Sequence, residues 1–183
     1  DGKPAAVVDG PLTITAGGLL ATTGTSSVAN NSGQTGTVTG SVTIDGAGSA
    51  WNITRDLANG GGQAGLSLAP KANSNASVTI SNGGSLAITG SRSNPAGDSS
   101  VPFLNIASIA GGTATVTLTN GSSIVFGGDT GAINVGSNSA ASAGTGTLNI
   151  SGGSTVSGTG SNGLVFMAIG RNQGTGTVNV SGA

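Results

Sequence analysis

The chain has 183 residues, 36 of them Gly, and only 11 charged side chains: five Lys or Arg and six Asp, for a formal net charge of −1. Glu, His and Cys are absent, which removes the commonest general base, disulfides and thiolate metal sites, and the scarcity of strong helix formers argues against a helical domain. The five cations, Lys3, Arg55, Lys71, Arg92 and Arg171, are scattered singly, so there is no basic stripe for phosphates and nucleic acid is not an expected partner.

In chain order, the N-terminal DGKPAAVV lacks the basic and apolar sections of a signal peptide, and no apolar run approaches the roughly 20 residues of a membrane helix. The chain is therefore expected to be mature or excised from a longer protein, and not to insert into a membrane. Leu12-Thr13-Ile14 then introduces a pattern of apolar, polar, apolar and turn. It returns at Val42-Thr43-Ile44, Val78-Thr79-Ile80, Val116-Thr117-Leu118, Leu148-Asn149-Ile150 and Val178-Asn179-Val180, at spacings of 30, 36, 38, 32 and 30 residues. The two-residue period and β-branched enrichment predict a strand with one buried face in each copy.

Most copies are followed by a small-residue corner, such as AGG at 16–18, DGAG at 45–48 and NGG at 82–84, where Gly or Asn can take positive φ. A second strand follows, with Leu20, Trp51 and Ile53, Leu86 and Ile88, Ile124 and Phe126, and Val156 inward. A third has Leu66 and Leu68, Leu104 and Ile106, Ile133 and Val135, and Met167 and Ile169 inward, with Val28 standing for it in the first turn. Length varies mainly in RDLANGGGQAG at 55–65 and SRSNPAGDSSVP at 91–102, which read as outward insertions.

A single turn of about 30 residues can neither bury its apolar residues nor pair its backbone, so each turn needs its neighbours. The expected fold is all-β: one right-handed parallel β-helix over 1–183, three strands per turn, 30–38 residues per turn, five to six turns. An antiparallel sandwich is the alternative, but it leaves the recurrence of equivalent triplets unexplained.

Thr13, Thr43, Thr79, Thr117, Asn149 and Asn179 would form an outward polar ladder. Such a column suits a solvated strand, and it could also recognise ice or a glycan, although the two Asn and Asp45 beside them break an all-Thr array. Trp51 and Phe126 read as core. The facing of Phe103 and Phe166 is left open, and the lack of Tyr gives an aromatic sugar cleft little material.

Asp1, Asp9, Asp45, Asp56, Asp98 and Asp129 are singletons, whereas glycosidic cleavage needs paired carboxylates. Asp56 and Asp98, near Arg55 and Arg92 in the insertions, are the best available constellation; they read as solvated loop charges and as ligand-contact candidates. GGDTG at 127–131 resembles a calcium repeat only once, and no Gly-Lys-Ser or Gly-Lys-Thr follows a Gly run. No catalytic, cofactor or metal site is expected.

TGTLNISGGSTVSG at 145–158, TGTVNVSGA at 175–183, NASVTISNGGSLAITG at 75–90 and GAINVGSNSAASAGTGTLNI at 131–150 resemble the repeats of bacterial autotransporter passenger domains and related large surface adhesins. VTIDGAGSAWNIT at 42–54 is similar to the part of those repeats where a Gly-rich corner precedes a Trp. The resemblance spans nearly the whole chain and implies secretion across the outer membrane and display at the cell surface. It implies an extracellular stalk or adhesin segment whose partners are host or bacterial surface proteins or glycans. The chain lacks the amphipathic strands of the family's membrane barrel, and it stops at SGA in mid-turn. Alternatives are a filament subunit that self-associates through its end turns, an ice- or glycan-binding Thr-rich solenoid, and a polysaccharide lyase or hydrolase.

Overall fold

The computed structural model describes residues 6–55, 63–90, 101–107, 111–128, 131–136, 144–159 and 166–182. Every regular element among them is a β-strand, and the strands form three sheets paired only in parallel. The first sheet stacks Pro11–Ile14, Val38–Asp45, Ser74–Ser81, Thr113–Leu118, Thr145–Ser151 and Thr175–Ser181. The second stacks Leu19–Thr23, Ala50–Thr54, Ser85–Gly90, Ser123–Gly128 and Thr155–Gly158. The third stacks Val7–Val8, Thr25–Val28, Gly65–Leu68, Phe103–Ile106, Ala132–Val135 and Phe166–Ile169. Chain order visits the sheets in rotation, so this is the expected three-stranded parallel β-solenoid.

The six triplets lie side by side in the first sheet: Leu12 opposite Val42, then Val78, Val116, Leu148 and Val178. Because side chains alternate with a period of two, a one-residue slip would turn each apolar pair outward, which fixes the register. The core runs between the three sheets. Ile44, Ile80 and Leu118 come from the first; Trp51, Ile53, Leu86, Ile88 and Phe126 from the second; and Leu66, Leu68, Leu104 and Ile106 from the third, all fully or almost fully buried. In the terminal rung, Met167, Ile169 and Val180 are exposed because their strands have a neighbour on one side only.

Trp51 carries a polar atom into this core and must satisfy it. Its indole Nε1–H donates to Thr22 Oγ1 at 3.0 Å, and the Ser26 hydroxyl lies 3.3 Å from the same oxygen. Thr22 and Ser26 occupy the inward positions that pair with Ile53 and Leu66, so polar residues stand there where other rungs are apolar.

Two residues before the first apolar residue of the last five triplets runs a column of small residues, Gly40, Ala76, Ala114, Gly146 and Gly176. It packs against the corner where the third strand turns into the next rung. A Cβ at 40 would overlap the Val8 carbonyl oxygen, at 146 the Ile106 carbonyl oxygen and Gly136 nitrogen, and at 176 the Val135 carbonyl oxygen. That corner carries its own ladder: Ala29 N–H donates to Val8 O at 2.9 Å, Ala69 to Val28 at 2.9 Å and Ala107 to Leu68 at 3.0 Å. These three Ala are left-handed, with φ of 55°, 47° and 57°, and have no exposed surface. Each accepts about 1 kcal/mol of backbone strain while burying its methyl group.

Candidate functional site

The outward side of the first sheet is built as the alternation requires. Thr13, Thr43, Thr79, Thr117, Asn149 and Asn179 form one continuous column of exposed or half-exposed side chains. At its end, Asn179 Nδ2–H donates to Asn149 Oδ1 at 2.8 Å, so amide stacking replaces the Thr run. Ser41, Ser77, Thr115, Thr147 and Thr177 line one side of it, and Asp45, Ser81, Thr119, Ser151 and Ser181 follow the other. The face is broad, uncharged apart from Asp45, and rich in hydroxyl groups.

Asp45 sits at the first corner and belongs to a polar ladder there. Its Oδ1 accepts hydrogen bonds from the Ser81 hydroxyl at 2.6 Å and from Asn82 Nδ2 at 2.8 Å, and Asn82 Oδ1 accepts from Asn120 Nδ2 at 3.0 Å. Asn82 and Asn120 are left-handed, with φ of 53° and 54°, a conformation that Asn tolerates at corners. The Ser81 hydroxyl, and after it the Asn82 amide, hold the Asp45 carboxyl below its ordinary value of 3.8, against an opposing effect of burial. A carboxyl with a depressed folded-state pKa contributes stability above the unfolded value and loses it as pH falls through the folded one. Thermal melts should therefore show wild type more stable than Asp45→Asn at neutral pH, with the gap narrowing as pH falls below about 4. A gap that does not change with pH would show that the charge contributes nothing.

The other described acid, Asp9, accepts a hydrogen bond at Oδ1 from the Asn30 N–H at 2.7 Å, again tying one corner to the next rung. Asp1, Asp56, Asp98 and Asp129 lie outside the described residues, as do Arg92 and most of the two insertions. The candidate contact set Arg55, Asp56, Arg92 and Asp98 is thus represented by Arg55 alone, which extends the second sheet by donating its N–H to Thr89 O at 3.1 Å. Among the described residues no group of three His, Cys, Asp or Glu is placed to hold a metal ion.

The outward side of the third sheet differs in character. Phe103 pairs with Gly65 on one side and Ala132 on the other, and Ala132 pairs with Phe166, so a column reads Gly65, Phe103, Ala132, Phe166. The next outward column reads Ser67, Asn105, Asn134, Ala168. Asn134 Nδ2–H donates to Asn105 Oδ1 at 2.8 Å, and each of these residues is 8% exposed. Phe103, Asn105, Ala132, Asn134, Phe166 and Arg171 share the lining of a cavity of about 270 Å³. Sequence reasoning left this site unassembled. The alternation that places Leu104 and Ile106 inside also places Phe103 and Asn105 outside, but bringing Phe166 onto the same column requires the lengths of the intervening turns. No family model, curated protein or solved structure matches the chain.

Proposed function

We propose that this chain is a segment of the stalk or adhesin region of a bacterial cell-surface protein of the autotransporter type, serving attachment or display without catalysis. The observation that carries this reading is the continuous three-sheet stack, whose first-sheet face is a regular array of small, uncharged polar side chains. A polar, weakly charged rod is suited to holding a binding surface away from a cell. The two described acids support the non-catalytic reading, since both are engaged in corner hydrogen bonds rather than paired across a cleft. The repeats that resemble autotransporter passengers supply the location.

The test is antibody labelling of intact cells that produce the full-length protein, alongside attachment by a strain from which its gene is deleted. The expected result is labelling without permeabilisation and weakened attachment by the deletion strain. Labelling that appears only after permeabilisation would overturn the reading.

A further inference from the structure

We propose that the outer face of the third sheet, between Phe103 and Phe166, binds a chain of carboxylated sugars. The two aromatic residues stand in one column with Ala132 between them, which sets their backbones two strand spacings apart, about 9.6 Å. A Cβ at residue 65 would overlap the tip of the Phe103 ring, so this ring leans onto Gly65 and away from Ala132. Phe103 is half-buried, Ala132 between the two aromatic residues is buried, and Phe166 is 48% exposed. Aromatic residues set along one line suit separate units of an extended sugar chain, whose C–H faces stack on aromatic surfaces.

Polar recognition lies in the adjacent column. The bond between Asn134 and Asn105 uses one N–H and one oxygen, and a primary amide has further donor and acceptor capacity for sugar hydroxyl groups. Both amides are held nine-tenths buried on a rigid strand pair, so little entropy is lost when they engage a ligand. The charge of the ligand follows from Arg171, whose planar fork suits a carboxylate, and among the described residues the cavity lining includes no Asp or Glu. At about 270 Å³ the cavity is near the lower end for small-molecule sites, a size for a short stretch of chain rather than for a folded partner.

This inference takes from the surface-adhesin reading only the place where the ligand is met. Its chemistry is tested in solution, by calorimetric titration of the whole chain with tetrasaccharides of polygalacturonate, alginate and hyaluronan, each beside its neutral methyl ester. The expected result is saturable binding of at least one acid form in preference to its ester. Phe103→Ala and Phe166→Ala should each weaken it by about three- to tenfold, the loss of one stacking contact. Arg171→Gln should bring acid and ester to equal affinity, with far-UV circular dichroism of all three variants unchanged. The proposal is overturned if none of the three acids binds, if the ester binds as well as the acid, or if the Phe variants bind as wild type does. Variants that lose attachment to cells while the wild type binds none of the acids would mark the face as a site for another class of partner, which also overturns it. Successful titration with failed labelling of intact cells would leave the pocket standing and remove only the proposed location.

Discussion

Trp51→Ala is expected to lower the unfolding free energy by about 3–5 kcal/mol, the usual cost of truncating a fully buried aromatic residue. Trp51 has no exposed surface and is flanked in its column by Leu20 and Leu86, so the emptied volume lies between three sheets of ladder-bonded backbone that cannot collapse into it. The variant also removes the indole N–H that Thr22 accepts, leaving Thr22 and Ser26 as polar groups in an apolar layer. Trp51→Phe should cost less, because it retains most of the ring. Trp51 is the only Trp, so denaturant melts should be followed by far-UV circular dichroism rather than by fluorescence. A loss below about 1 kcal/mol would contradict the packing described for this layer.

The second large effect is expected at Gly146, where substitution by Ala should cost about 3 kcal/mol or more, the upper range for overpacking. A methyl group there meets the Ile106 carbonyl oxygen and the Gly136 nitrogen, both in the backbone of the corner, so relief requires the rung itself to move. The neighbouring rung supplies the control. Ala114 occupies the same column with its methyl group accommodated, and Ala114→Gly should cost only about 0.5–1 kcal/mol through backbone entropy. Equal melting shifts for the two substitutions would show that the corner is not the close contact it is described to be.

Much of the architecture is legible in the residues. The apolar triplets announce their own register, and the second- and third-strand residues read as inward, from Trp51 and Ile53 to Ile133 and Val135, are in the core. This works because a half-buried strand writes its facing into a two-residue alternation that requires no knowledge of its partner. What such alternation omits is the kind of space available. The column Gly40, Ala76, Ala114, Gly146, Gly176 stands two positions ahead of the last five triplets and looks like ordinary turn composition, yet its size limit is imposed by a corner about 10 residues earlier in the chain or one rung away. The same holds for Thr22, whose inward position makes sense only once it faces the indole of Trp51.

The candidate site divides in the same way. The Thr and Asn ladder is a property of one strand position repeated, so its alignment follows directly from the triplets. The Phe103 and Phe166 pair depends on turn lengths that differ from rung to rung, and Arg171 reaches the same cavity from beyond the end of its strand. Arg55, Asp56, Arg92 and Asp98 stand out in the sequence because they lie in or beside the two long insertions, and of the four only Arg55 is among the described residues.

The parallel pairing has a kinetic side. Among the described strands every partner lies one repeat away in sequence, as Val42 and Val78 do, and none joins rungs that are distant in the chain. Formation of one rung therefore asks only for the closure of a loop of a single repeat, and the edge it exposes is a template on which the next rung can align. Structure would then grow in sequence order from any completed pair of rungs, and a chain delivered gradually from one end could fold as it arrives, without waiting for the other end.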